Sequence, residues 1–214
     1  MIQNKTLGIF VRIPLYVLGE ALRAHLAGTP LDEDTLTQML ATDYSGWKTK
    51  KFAREHINSA VLNSPISTFM EAHDNEILQA LDNNSDRPLI LTAVICARFH
   101  FAYQVATIFA RQFRQQDIVS TEVIKRRVAD IYGMNRSTEN TLNSVIPQLI
   151  EAGLVRRPRP GIYEPTALIV PSHAITTELW KEAFFANEPL SNREQPVEDL
   201  MFEPFFRFLN PATR

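Results

Sequence analysis

The chain has 214 residues, 45% hydrophobic and 21% charged, with 22 Lys and Arg against 24 Asp and Glu. That length buries one core or two small ones, and the 13 Phe exclude the aromatic-poor, highly charged composition of a disordered chain. A net charge of −2 excludes a protein that is basic all over, and the single cysteine, Cys96, excludes a disulfide framework or a multi-cysteine zinc site.

Residues Met1 to Thr6 lack a long apolar stretch with a small-residue cleavage site, so the chain reads as cytoplasmic. Leu15, Leu18, Leu22 and Leu26 recur at intervals of three and four between Pro14 and Gly28, which predicts an amphipathic helix with proline at its start and glycine past its end. A short helix follows Thr29-Pro30, where Asp32, Glu33 and Asp34 favour the positive N-terminal end. The next runs from about Trp47 to Leu62, with Phe52, Ile57 and Val61 on one side. Ser64-Pro65 opens a fourth, expected to reach the turn at Asp82-Asn83-Asn84-Ser85.

The fifth predicted helix is the longest, from Asp86-Arg87-Pro88 to about Gln115. Residues 89–110 within it carry one formal charge, Arg98, and are long enough for a bilayer. Arg98, His100 and Gln104 lie near the middle and oppose insertion. The segment reads as a buried helix of a helical domain, with no membrane contact.

After Asp117 the pattern changes. Ser120-Thr121 opens an amphipathic helix to Ile131-Tyr132, with Ile124, Val128 and Ile131 on one face and Gly133 closing it. A second helix spans about Ser137 to Ala152, striped with Leu142, Val145, Ile146 and Leu149; Pro147 inside it predicts a kink or a late start. Gly153 ends it. Leu154 to Arg157 and Ile162 to Glu164 flank Pro158-Arg159-Pro160-Gly161 as arms of a short hairpin. Helix, turn, helix and basic hairpin is the order of a winged helix-turn-helix; a helical hairpin with an ordinary surface loop is the alternative. Another amphipathic helix covers about Ala174 to Phe185, and Asn187 to Pro196 reads as loop. The aromatic end, with Phe202, Phe205, Phe206 and Phe208, reads first as a cover for the chain's own core, with docking of a partner protein as the alternative.

The expected class is all-α. A helical bundle spans 1–116 around a long central helix at about 86–115, a winged helix-turn-helix-like part with a small β-hairpin spans 117–166, and a helical extension spans 167–214.

Charge is uneven. Residues 91–160 hold ten basic and five acidic side chains, whereas the rest holds 12 basic and 19 acidic. A basic third in a neutral chain suits an anionic partner met on one face. In a winged helix the second helix enters the major groove with its N-terminal residues at base edges. Those are Arg136, Ser137, Thr138, Asn140 and Thr141: Arg reads guanine, Asn reads adenine, and Ser and Thr serve bases or phosphates. Arg156, Arg157 and Arg159 on the hairpin suit phosphates or the minor groove, and Lys125, Arg126 and Arg127 suit the backbone. Taken singly each is an ordinary solvated charge; together they point to nucleic acid. Lys48, Lys50, Lys51 and Arg54 beside Trp47 form a second basic patch, read first as a solvated helix end, with an extension of the footprint or RNA binding by stacking on Trp47 as the alternatives.

Catalytic constellations are missing. The seven glycines, at 8, 19, 28, 46, 133, 153 and 161, form neither a dinucleotide fingerprint nor a phosphate loop. Ser45-Gly46-Trp47-Lys48 matches S-x-x-K without its companion motifs. Glu71, His73, Asp74 and Glu76 read better as a polar helix face than as metal ligands. Cys96, in the most apolar stretch, reads as buried and inert. No catalysis, metal or cofactor is expected.

The central segment LILTAVICARFHFAYQVATIFARQF, following a first helix with a basic continuation and followed by a helix-turn-helix ending QLIEAGLV, resembles the BrxA family of bacterial BREX phage-defence systems. The resemblance covers roughly residues 10–155 and rests on pattern, without a motif from which site residues carry over. It implies an all-helical fold similar to the antitermination factor NusB, no catalytic site, and binding to double-stranded DNA. The expected function is therefore a DNA-binding accessory protein that works with other proteins of the defence system. A protein–protein adaptor and a winged-helix transcriptional regulator are the alternatives.

Overall fold

Pro14, extended at φ −61° and ψ 123°, sets the start of α1 (Leu15–Leu26), whose Leu15, Leu18, Leu22 and Leu26 are buried as the leucine spacing requires. The computed structural model describes residues 7–209. The Asp32 carboxylate accepts a hydrogen bond from the Thr35 amide (2.7 Å) and so caps α2 (Glu33–Met39). The third helix, α3 (Trp47–Leu62), buries Ile57 and Val61.

Two predicted helices are each broken in two. The fourth becomes α4 (Ser67–Ala72) and α5 (Asp74–Leu81), parted at His73, whose φ of −124° and ψ of 28° leave the helical region. The long central helix expected at 86–115 becomes α6 (Asp86–Arg98) and α7 (His100–Phe113), parted at Phe99 (φ −114°, ψ 94°). The cause lies in burial: almost every side chain from Leu89 to Phe113 is buried, so the apolar run has no face to reveal where the axis turns. Phe99 is itself buried, with its ring edge-on to His56 at 5.5 Å. Its N–H still donates to the Ile95 carbonyl, and its carbonyl accepts from Ala102 and Tyr103, so the bend leaves neither backbone group of Phe99 without a partner.

Next come β1 (Val119–Ser120), α8 (Thr121–Tyr132), α9 (Arg136–Glu151), β2 (Val155–Arg159) and β3 (Ile162–Pro165). The strands form one antiparallel sheet in the order β1-β3-β2, with Val119 opposite Tyr163 and Arg156 opposite Glu164. The two-residue strand β1 is absent from the sequence reading, and the class is mostly helical with a small sheet. Contrary to the expected late start, α9 starts at Arg136 and runs through Pro147. Gly153, at φ +70°, ends it; the Leu154 amide reaches back to the Leu149 carbonyl and the Gly153 amide to that of Ile150, a turn that needs the left-handed backbone glycine supplies. The outer strand β2 carries Pro158 and an irregular register between Arg156 and Arg159, as an edge position allows.

The described residues after the hairpin, up to Leu209, contribute to the core. The helix α10 (Ala174–Asn187) packs chiefly on α6, and also on α5 and α4, while the 3-10 turn Pro204–Phe208 packs on α7. A short α11 (Val197–Leu200) lies between them. Phe205, Phe206 and Phe208 are buried, and Phe205 stacks on Trp180 with centroids 4.6 Å apart. Buried apolar side chains from Ile9 to Leu209 form one continuous cluster.

The carboxylate of Asp86, 0% exposed at the start of α6, fastens α10. It accepts hydrogen bonds from the amides of Ser172 (3.1 Å) and His173 (3.2 Å), and from the Thr176 hydroxyl (2.6 Å). His173 Nδ1 lies 3.1 Å from its other oxygen. The helix α10 has no capping side chain of its own, so Asp86 supplies the cap from 87 residues away. At the far end the Asn187 amide donates to the Cys96 carbonyl (2.9 Å), a group freed by the bend at Phe99. Removing the carboxylate strands several donors inside the fold. Asp86→Ala is expected to cost about 3–5 kcal/mol in urea unfolding, against less than about 0.5 kcal/mol for Phe202→Ala at an exposed position; a loss under about 1 kcal/mol for Asp86→Ala would contradict this account.

His56 gives a second expectation. It is buried between Phe10 and Phe99, and its Nε2 accepts from the Phe10 amide (3.4 Å), which requires the neutral ring. Burial lowers its pKa from 6.5 to about 4. The unfolded chain takes up this proton near pH 6.5, the folded chain only near pH 4. The contribution is whole above pH 6.5 and is lost as the pH falls towards 4, a total of about 3 kcal/mol. Unfolding titrations of His56→Phe should show a flatter decline than the wild type between pH 6.5 and 5, and equal slopes would assign the loss to other groups.

Candidate nucleic-acid interface

The short strand β1 leads directly into α8, whose Ser120 hydroxyl accepts from the Val123 amide (3.3 Å). The Thr121 amide donates to the carbonyl of Gly161 (2.8 Å), at the tip of the hairpin, so the first turn of α8 and the hairpin tip hold each other. Ile124 and Val128 bury one side of α8. After Gly133, at φ +71°, the Asn135 side chain accepts from the Thr138 amide (3.0 Å) and caps α9. Tyr163 of β3 is buried, its ring edge-on to Phe109 of α7 at 5.2 Å, which fixes the hairpin to the core.

The basic side chains divide into paired and unpaired groups. Lys125 donates to Glu139 at 2.7 Å across α8 and α9; this hydrogen bond raises the lysine pKa and lowers that of the carboxyl. Arg127 lies 3.7 Å from Asp130, and Arg156 pairs with Glu164 across the hairpin. Arg126, Arg136, Arg157 and Arg159 are exposed and have no acidic group within 4.0 Å among the described residues. Arg157 lies over the Tyr163 ring at 5.9 Å, which steadies it without neutralising it.

Along α9, Arg136, Ser137 and Asn140 are exposed. Thr138 and Thr141, expected at base edges, are not: they are 1% and 0% exposed. The Thr138 hydroxyl bonds the Asn135 side chain and the Thr141 hydroxyl the Ser137 carbonyl. The reason is helical phase: at about 100° per residue, Thr138 sits about 200° and Thr141 about 140° around from Arg136. The same phase brings in two residues the sequence reading missed, Asn143 and Pro147, both exposed; extending the spacing from Arg136 and Asn140 would have found them. The helix ends with Glu151, whose carboxylate accepts from the Leu15 amide (2.9 Å) and from Arg12 (2.6 Å). This acid faces the start of α1.

The second basic patch lies elsewhere. Its helix, α3, packs chiefly on α1, α2 and α6, whereas α9 packs on α7 and β2. Arg54 is held by Glu33 (2.9 Å) and Thr37 (3.1 Å), and Lys51 lies 3.8 Å from Glu55. Lys48 and Lys50 have no such pair among the described residues, and Trp47 is 70% exposed beside them.

Among the described residues no group of three or more His, Cys, Asp or Glu side chains is placed to hold a metal ion, and no helix is long and apolar enough to cross a membrane. Burial pushes the Cys96 thiol far above its ordinary pKa, which keeps it protonated and unreactive. The chemistry that α8, α9 and the hairpin offer to solvent is charge and hydrogen bonding, through guanidinium groups, amides and hydroxyls. Comparison of the chain with protein-family models, with curated proteins and with solved structures finds no match.

Proposed function

We propose that this chain is a non-catalytic double-stranded DNA-binding protein. The observation that carries the reading is the set of four exposed guanidinium groups, Arg126, Arg136, Arg157 and Arg159, without acidic partners on α8, α9 and the hairpin. The order α7-β1-α8-α9-β2-β3, with strands arranged β1-β3-β2, supports a winged helix-turn-helix. In that reading α9 lies in the major groove and the hairpin follows phosphates or the minor groove. Lys125, Arg127 and Arg156 contribute less, since each is partly neutralised by its own carboxylate.

The resemblance to BrxA supplies the setting: a NusB-like bundle carrying the DNA-binding part, as an accessory component of a phage-defence system that acts with that system's other proteins. The adaptor alternative loses most of its surface, because Phe205, Phe206 and Phe208 are buried and only Phe202, 80% exposed, projects from that group of four. A transcriptional regulator would share the same DNA face and differ in its biological target.

Fluorescence anisotropy with a random-sequence duplex, from about 50 to 200 mM salt, tests the reading. Affinity should fall steeply with salt. Arg157→Ala/Arg159→Ala should weaken binding at least about tenfold and lower the log–log salt slope by about 2, whereas Lys48→Ala/Lys50→Ala should leave both unchanged. Loss in the lysine variant alone would move the footprint to α3. No binding at the lowest salt would reject the DNA reading.

A further inference from the structure

The exposed side of α9 carries a second property besides charge. Arg136, Asn140, Asn143 and Pro147 fall within about 60° of one another around the helix axis, and all four are exposed. Leu142, Val145, Ile146 and Leu149 occupy the buried side. After Arg136 this stripe holds no charge. Glu139 is tied to Lys125 and Glu151 to Arg12 and the Leu15 amide, so no free carboxylate faces outward beside the two asparagines.

Asparagine is a poor choice for the solvent face of a helix, because its amide competes for backbone hydrogen bonds; Glu, Lys, Gln or Ala serve better there. Asn135, by contrast, caps α9 and Asn187 clamps Cys96, uses that explain those residues. The side chains of Asn140 and Asn143 make no hydrogen bond to another described residue, although the Asn140 carbonyl accepts from Ser144. Two amides, each with an NH2 donor group and a carbonyl acceptor, thus stand free on the same stripe of the helix that bears Arg136.

We infer that Asn140 and Asn143 read adenines on two successive base pairs in the major groove, so that binding carried by phosphates also has a preference for a short A·T step. The inference rests on the DNA reading above and not on any defence role. The amide matches adenine: Oδ1 accepts from the exocyclic N6 amine while Nδ2 donates to N7. Residues three apart rise about 4.5 Å along a helix, close to the spacing of about 3.4 Å between base pairs, so each amide meets its own pair. Arg136, one turn before Asn140, then falls on the flanking guanine or phosphate.

The test starts from the full chain and a randomised duplex library, selected at about 150 mM salt and sequenced. An enriched site with two adjacent A·T pairs is expected. Asn140→Ala, Asn143→Ala and the double variant should each lower the preference for the enriched site over a random duplex. On the enriched site each single change should lose about tenfold, the scale of one bidentate base contact. Substituting 7-deazaadenine at the two positions should produce the same loss with the wild type and little further loss with the double variant. Because alanine favours helix more than asparagine, unfolding is not the expected cause of a loss, and equal thermal midpoints would exclude it. Random-duplex binding with no enriched adenines, or an enriched site that the asparagine variants bind as well as wild type, would overturn the base reading and leave the DNA reading standing. Failure to bind any duplex would overturn both.

Discussion

One buried carboxylate fixes the start of α10 against α6. An isolated charge inside a protein is costly, and Asp86 is tolerable only because four donors converge on it. Those donors belong to Ser172, His173 and Thr176, around the start of α10, so the charge lies where the helix has its own unsatisfied amides and positive end. With Asn187 holding Cys96 at the other end, α10 lies alongside α6 with both starts together. That placement resolves a problem posed by the sequence: α6 and α7 are apolar on nearly every side, and a helix of that kind needs cover all round. The aromatic turn at Phe205 and Phe206 completes the cover over α7.

The basic face rides on the same core. Tyr163 plugs the hairpin against Phe109, Gly161 is bonded to the start of α8, and Glu151 ties the end of α9 to Arg12 and the first amide of α1. The helices and hairpin therefore present their cations from a fixed frame. A fixed frame matters for recognition, since side chains on rigid elements lose less freedom when they meet a ligand.

The sequence made helices easy to find where they are amphipathic. The leucine spacing of α1, the acidic start of α2, and the caps Ser120 and Asn135 with Gly133 and Gly153 are local signals, and local signals are written in neighbouring residues. The bend at Phe99 was not legible, because the run 89–113 is apolar whichever way its axis points. Nor was the partnership of Asp86 with residues 172–176, which joins distant parts of the chain and leaves no periodic mark. In the candidate interface the hairpin and its arginines were readable from Pro158 to Gly161. The error at Thr138 and Thr141 came from treating the first turns of α9 as a block, when helical phase decides which residues meet solvent.

The proline in the outer strand has a consequence beyond the hairpin. An unpaired strand edge is an open template on which another molecule can add a strand. Here Pro158 removes one donor from that row, the irregular register between Arg156 and Arg159 breaks its regularity, and the arginines set like charges against any approaching copy. The β2 edge is thereby a poor template for an added strand. A second copy of this chain therefore finds no regular row of donors and acceptors along β2 to pair with.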